Sequence, residues 1–447
     1  MKVIQKNIKE NPKVNRDLYY ICEKYLKSDE NRIFTITGQR RLGKTTILQT
    51  LNNNFNKSIM ITLSEDDTID NLLDLIEFNL KDYDIFLIDE ISINQGIFDS
   101  IQILFDYLIN HNKKAIFTGT YNLAIKYMEL DQSYGRTVNY TLNNLSIIEY
   151  INIFGTSKDV YLDYISFVDF FNSSSDNYIN SLVNNIYYSY SKYINYSNIN
   201  SGFNSNQLEK NKIQFYVLLI LYKMVISSDS SINNIIKLEG IKFTDELNQK
   251  VLNIIRNKSK FYDNIDVDEF QLVTDQLISL RVIRIIPSFA NTKVYKIIFN
   301  DFVLKKYIYD IIEKAISNKS ITNYKITHYG QFYENIMNMQ VSLYQENTYN
   351  QMYFKYNDYE VDDILELEDK IIFIDYKLGK HNVNFAFENI SNRLIEISKT
   401  EFNKPADFKY IGRKPDSNIQ LDINFVNDIR NLYLNKFKVK NNLFEWG

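Results

Sequence analysis

The sequence predicts an α/β chain: a parallel sheet flanked by helices in its first third, then a helical region, then an α+β domain. Three observations carry this. GQRRLGKT (38–45) sits between a β-rich run and a helical run. DIFLIDEI (84–91) is an unbroken apolar strand ending in acids. YEVDDILELEDKIIFIDYKLG (359–379) reads as two strands around a Glu-Asp turn. At 447 residues the chain is too long for one core and predicts several domains.

The first strand and helix surround the first motif. RIFTIT is β-rich, TTILQTL keeps helical spacing, and GQRRLGKT between them fits G-x-x-x-x-G-K-[ST] at Gly38, Gly43, Lys44 and Thr45. Such a loop needs glycine so that backbone N–H groups can wrap phosphates, and the next helix adds its positive end. The motif makes Gly38, Gln39, Arg40, Arg41, Leu42, Gly43, Lys44, Thr45 and Thr46 the candidate nucleotide cradle. Lys44 is expected to reach the β- and γ-phosphates, and the Thr45 hydroxyl to ligate Mg²⁺.

A second strand, SIMITLS (58–64), follows at βαβ distance. A strand buried on both faces reads as an apolar run, and DIFLIDEI is one. Its terminal acids stand where open α/β sheets place ligands. Asp89 is expected to hold Mg²⁺ through water, and Glu90 to polarise the water attacking the γ-phosphate. KAIFTGT (114–120) is the next strand, with Thr118 or Thr120 as a γ-phosphate sensor or a plain strand-terminal residue.

GQRRLGKT, IFLIDE, FTGTYN (117–122) and GRTVNYTLNNLSIIEY (135–150) together resemble bacterial and archaeal AAA-type ATP-binding proteins. Members of that group carry a winged-helix segment and a C-terminal restriction-endonuclease-like domain. Their fourth strand usually ends Thr-Gly-Ser, so Thr120 departs from the pattern. A Gly-Arg pair before a Leu-x-x-Leu-Ser…Glu run is characteristic of the group. It implies that Arg136 is a γ-phosphate or inter-subunit arginine. The resemblance is specific over 30–155 and implies an ATP-binding P-loop ATPase with Mg²⁺.

The middle of the chain predicts helices. Tyr178, Leu182, Ile186, Tyr190 and Tyr193/Ile194 recur at helical spacing inside an Asn/Ser-rich stretch, and IQFYVLLILYKMVI (213–226) reads as a buried helix. Two amphipathic helices follow from 243, then two strands around a Pro-Asn-rich turn, suggesting a winged helix. Its recognition helix (268–280) carries Asp268, Glu269 and Asp275, with little base-reading chemistry, so a packing module and a DNA reader both fit. Lys293, Lys296, Lys305 and Lys306 supply the local basic character.

In the last region the order is helix (with Glu334), strands, helix, strand, matching the core of the PD-(D/E)XK nuclease fold. Side chains alternate along strands, so Asp375 and Lys377 share a face with Ile371 and Phe373. A Glu368-Asp369 turn sets Asp362 opposite Asp375 and Ile364 opposite Phe373. Like charges directly opposed destabilise a sheet, so a carboxylate pair calls for a cation, and Mg²⁺ suits oxygen ligands. The metal and Lys377 would orient a hydroxide, with Glu334 as the upstream acid. A one-residue slip substitutes Asp363 for Asp362. The plain alternative is a solvated, charged strand edge.

The expected domains are 1–155 (AAA-type core), 156–235 (helical), 236–308 (winged-helix-like) and 309–447 (nuclease-like). Net charge is −4, so no global field draws the chain to nucleic acid. One cysteine, Cys22, excludes an internal disulfide framework and fits a reducing cytoplasm, as a small buried residue. MKVIQKNIKENPKV is not a signal peptide, and no run reaches membrane-spanning length. The expected partners are ATP, DNA through the winged-helix and nuclease-like parts, and a second copy of the chain in a homo-oligomer.

Overall fold

The computed structural model describes residues 1–4, 6, 16–38, 42–92, 96–97, 100–119, 136–155, 179–180, 182–184, 186–187, 207–228, 245–287, 295–299, 302–316, 337–341, 343, 351–356, 359–367, 369–378, 391–413, 425–431, 434, 438–440 and 443–445. The N-terminal region is a mixed α/β unit. Its elements are β1 (Lys2–Ile4), α1 (Asp17–Lys27), β2 (Ile33–Thr37), α2 (Lys44–Asn54), β3 (Ser58–Thr62), α3 (Ile69–Asn79), β4 (Ile85–Asp89), α4 (Ile101–Asn110), β5 (Lys114–Thr118), β6 (Thr137–Thr141) and α5 (Ile147–Phe154).

The strands form one sheet in the order β1-β3-β4-β5-β2-β6. All pairings from β3 to β6 are parallel, and β1 closes one edge antiparallel to β3. β2 and β4 are buried at every position, as apolar runs covered on both faces require. Leu18, Tyr25, Ile47 and Leu51 from α1 and α2 cover one face. Leu72, Ile76, Leu104 and Phe105 from α3 and α4 cover the other.

A second apolar core holds the middle region. It gathers α6 (Gln207–Ser228), α7 (Asp245–Ser259), α8 (Val267–Ser279), the antiparallel hairpin of β7 (Ile283–Pro287) and β8 (Tyr295–Phe299), and α9 (Phe302–Ile316). Leu182 and Ile186 join this core as the helical spacing predicts, with Ile179 beside them, while Tyr178, Tyr190, Tyr193 and Ile194 lie outside the described residues. α9 runs through the expected boundary at 308/309. Its Leu304, Ile308, Ile311 and Ile312 all pack into the middle core, so that boundary falls within a helix.

The C-terminal sheet has the order β12-β11-β10-β9, from β9 (Gln351–Tyr356), β10 (Tyr359–Glu366), β11 (Ile371–Leu378) and β12 (Ala406–Arg413). β9–β10 and β10–β11 are antiparallel, and β12 joins parallel to β11 after α10 (Ser391–Glu401). A short antiparallel hairpin, β13 (Lys438–Lys440) and β14 (Leu443–Glu445), follows. One sheet face packs Ile364, Ile371 and Phe373 against Leu394 of α10. On the other, Leu365, Ile374 and Tyr376 meet Met337 and Met339 of a helical segment at 337–341, and Val426 and Ile429 of another at 425–431. That face is continuous with the α1/α5 side of the N-terminal core, so the two regions share one apolar cluster. No helix among the described residues is long and apolar enough to cross a membrane.

Candidate functional site

The phosphate loop leaves β2 at Thr37 and enters α2 at Lys44. Gly38 has φ 139°, and a Cβ there would come within 2.6 Å of the Leu142 carbonyl oxygen. Only glycine lets the loop pass β6 this closely. Gly43 caps α2 at φ 94°. Lys44 is buried, and its Nζ donates to the Gly38 carbonyl at 2.8 Å, across the mouth of the loop. Leu42 is partly buried against the core. Gln39, Arg40 and Arg41 lie outside the described residues.

β4 carries the acids to this loop. Thr45 Oγ1 donates to Asp89 Oδ2 at 2.8 Å. Thr118 Oγ1 donates to Asp89 Oδ1 and accepts from the Glu90 amide at 3.1 Å. Thr118, at the end of β5, is thus the threonine in contact with both acids; Thr120 lies outside the described residues. Glu90 itself sits at φ 61°, a left-handed conformation rare for a non-glycine residue and held here by the Thr118 bond. Asp89 is buried at 2% exposure while Glu90 is half-buried. Thr45 and Asp89 supply hard oxygen donors, the set that fits Mg²⁺.

Arg136 is placed elsewhere. Thr137 pairs with Ile33 at the start of β2, and Thr141 with Thr37 at its end. Arg136 therefore lies at the N-terminal end of the strands, about 20 Å along the sheet from Gly38. Its Nε donates to Asp106 of α4 at 2.8 Å. A role at the phosphates of its own loop does not fit this placement, which corrects one of the two expectations. The inter-subunit expectation concerns a second chain.

Sequence reading missed a polar cluster beside the loop. Ser146 and Glu149 form a capping box on α5, and Glu149 Oε1 also accepts from the Asp17 amide at 2.9 Å. Arg16 Nε stands 3.0 Å from the same oxygen. Burial pushes the Glu149 carboxyl above its ordinary range, against the pull of Arg16. The S-x-x-E spacing before an apolar run was a visible signal for this cap. Arg281, in the turn between α8 and β7, donates to the Thr141 carbonyl at 3.0 Å, bringing the middle region to the strand end next to the loop.

The C-terminal acids are not solvated. Asp362, Asp363 and Asp375 are 2%, 0% and 1% exposed, which overturns the strand-edge alternative. Ile364 pairs with Phe373 and Asp363 with Ile374, and a β-bulge in β10 between Val361 and Ile364 interrupts the alternation there, so Asp362 and Asp375 are the next residues along two neighbouring strands. Leu367 N donates to the Lys370 carbonyl at 2.8 Å, closing the connection between β10 and β11. Asp362 Oδ2 accepts from the Tyr376 amide at 2.8 Å. Asp363 points to the other face, where its Oδ2 accepts from the Tyr376 hydroxyl at 2.8 Å. Oriented to suit this network, the Asn338 amide donates to both Asp363 oxygens at 2.8 and 3.0 Å. Arg284 of β7 is half-buried near Asp363; desolvation lowers its guanidinium, and Asp363 opposes that shift. Asp362 and Asp363 thus take different groups of Tyr376, its amide and its hydroxyl.

Lys377 continues β11 opposite Gly412 of β12, with its side chain outside the described residues, as is Glu334. Two carboxylates suit a hard cation, yet no group of three metal-ligating side chains occurs among the described residues. Lys293 and the side chains of Lys296, Lys305 and Lys306 lie outside them too. Asp266 caps α8 by accepting from the Asp268 and Glu269 amides at 3.0 and 3.1 Å, so the start of the expected recognition helix is acidic.

Residues 30–151 match the family model described as an AAA domain. The N-terminal region is thus an AAA-type P-loop ATPase domain. A search of curated proteins finds no match. Among solved structures, the chain is similar to the replication initiator DnaA bound to AMPPCP and single-stranded DNA. Identity there is 17%, over 60% of this chain and 88% of that one, with a TM-score of 0.27. It is also similar to the Aeropyrum pernix ORC1 protein in complex with DNA, at 9% identity over 68% and 94% of the two chains, with a TM-score of 0.25.

Proposed function

We propose that the chain binds and hydrolyses ATP at the P-loop and couples this to a nuclease-like C-terminal domain that acts on or binds DNA. The observation that carries the ATPase half is the contact chain Thr45–Asp89–Thr118–Glu90 beside Lys44. Lys44 would neutralise the β- and γ-phosphates, and the loop amides would cradle them. Mg²⁺ bound at Thr45 and Asp89 would supply charge neutralisation on the phosphate oxygens. Glu90 would orient a water in line with the γ-phosphorus and take its proton as the bond to the β-phosphate oxygen breaks, leaving ADP and phosphate. Thr118 positions both acids, and Arg136 serves a neighbouring copy in a homo-oligomer. Lys44→Ala tests this half: ATP binding should be lost, and an unaltered affinity refutes the assignment.

The nuclease-like half is supported by the buried acids Asp362 and Asp375 on neighbouring strands and by Lys377 two residues along β11. Glu334 would complete the acid set, and the helix–helix–hairpin–helix run from α7 to α9 supports the winged-helix reading. A second reading is an ATP-dependent switch or scaffold whose C-terminal domain binds a partner and cuts nothing. One observation favours it: both acids are almost wholly buried. A plasmid-nicking assay separates the two. Wild type should nick with Mg²⁺ or Mn²⁺, and Asp375→Ala should not. Equal inactivity of both proteins, with ATP and without, decides for the scaffold.

A further inference from the structure

The start of α1 joins the phosphate loop to the C-terminal region through consecutive charged contacts. Arg16 is 8% exposed and donates to two carbonyls: Leu42, inside the loop, at 3.4 Å, and Asn143, just past the end of β6, at 2.8 Å. Both segments flank Gly38, which lies against Leu142. Arg16 pairs with Glu149, and Glu149 accepts from the Asp17 amide. The Asp17 carboxylate, 3% exposed, then accepts from Arg430 of the 425–431 helical segment. Nε lies 2.9 Å from each oxygen, and Nη2 lies 2.6 Å from Oδ1. A second link runs in parallel: Gln340 Oε1, fully buried, accepts from Ile147 N at 2.7 Å, satisfying an orphan amide at the start of the helix that carries Glu149.

The geometry points to Arg16 as a positioning residue for the phosphate loop, held in place by the Asp17–Arg430 pair, so that docking of the C-terminal region and nucleotide binding are thermodynamically linked. This rests on the ATP-binding reading above. The two acids and two guanidinium groups balance in charge, and removal of one partner leaves a buried charge uncompensated. Arg16 then loses its fixed orientation and ceases to pin the Leu42 and Asn143 carbonyls. A loop that is no longer pinned must be ordered by the ligand, which weakens binding. Linkage is reciprocal, so bound nucleotide must tighten the docking by the same factor.

The test uses the full chain, a fluorescent ATP analogue and amide hydrogen exchange. Arg430→Gln should weaken nucleotide binding on the order of 5–10-fold, a typical coupling between distinct sites. The double variant Asp17→Asn/Arg430→Gln should be no weaker than either single one, because the pair acts as a unit. Arg430→Lys keeps the charge without the planar fork, and should fall between; it stands in if Arg430→Gln does not fold. Saturating nucleotide should slow exchange at 337–341 and 425–431 in the wild type and leave it unchanged in Arg16→Gln. A folded Arg430→Gln or Arg430→Lys that binds as wild type overturns the linkage, as does wild-type exchange that ignores nucleotide. If the wild type binds nucleotide no better than Lys44→Ala, the ATP reading itself fails and the linkage with it.

Discussion

Thr45 donates its hydroxyl to Asp89 at 2.8 Å, so one hydrogen bond ties the first turn of the helix after the phosphate loop to the last residue of the central strand. Asp89 also takes the Thr118 hydroxyl, so its carboxylate accepts on both oxygens. Asp89→Asn keeps the shape and removes the charge that a divalent ion would meet. ATP turnover should fall on the order of 10²-fold, while nucleotide affinity measured without divalent ions stays near wild type. Phosphate release and equilibrium titration read the two effects separately.

The two glycines of the loop should differ in a measurable way. Gly38→Ala adds a Cβ 2.6 Å from a backbone oxygen that cannot rotate aside, at φ 139°. Gly43→Ala meets no atom within 4 Å and bears only the strain of φ 94°. Gly38→Ala should cost about 2–4 kcal/mol in urea unfolding, and Gly43→Ala about 1–2 kcal/mol. Equal costs would show that backbone conformation alone, and not the approach of Leu142, requires glycine at 38.

Much of this site was legible because local spacing determines it. A strand, a glycine loop and a helix leave a pattern within eight residues, and the buried strand ending in Asp89-Glu90 leaves another. The Ile364–Phe373 register was equally legible, since a short turn and side-chain alternation fix it, whereas no local pattern announces the bulge in β10 between Val361 and Ile364. Arg136 was misplaced in one of its two expected roles because sequence order does not say which end of a parallel strand faces the ligand. The bond from the Ile33 amide to the Arg136 carbonyl at 2.8 Å does. Arg16, Asp17 and Arg430 were invisible for a different reason. Asp17 and Arg430 are 413 residues apart, and no local pattern announces their bond.

Arg136 supports a complementation experiment. Its ion pair with Asp106 is partly exposed, with side chains 35% and 44% accessible, so its loss should cost no more than about 1 kcal/mol. If it serves a neighbouring copy, Arg136→Ala should bind nucleotide like wild type and hydrolyse it poorly. Lys44→Ala should fail to bind at all. Mixed together, the two inactive proteins should regain hydrolysis at sites formed by an intact loop from one and an intact arginine from the other. No recovery over a range of mixing ratios removes Arg136 from the reaction.

Cys22 lies at 0% exposure in the α1 face of the core, and burial pushes its thiol well above the ordinary range. The thiolate is the reactive species, so the native protein should resist alkylation. Raising the pH from 7 to 9 should barely speed labelling while the fold holds, whereas urea should release it with the global unfolding transition. Rapid native labelling would mean that α1 opens locally, which would also undo the Arg16 and Asp17 contacts at its start.

The buried acids of the C-terminal sheet give the sharpest stability test. Asp362 and Asp375 follow the Asp363–Ile374 pair on neighbouring strands, and like charges on neighbouring strands cost up to about 1 kcal/mol even at accessible sites. In EDTA, Asp375→Asn should therefore melt above the wild type, by about 2–4 °C. Asp363→Asn should melt below it. That acid lies on the other face and accepts from Tyr376 and Asn338, so its loss weakens satisfied hydrogen bonds instead of relieving repulsion. Adding Mg²⁺ or Mn²⁺ without nucleotide should then raise the wild-type midpoint and leave Asp375→Asn where it was. If metal moves neither protein and Asp375→Asn melts below the wild type, the carboxylates are a structural pair and not a cation site. The scaffold reading of this domain would then stand.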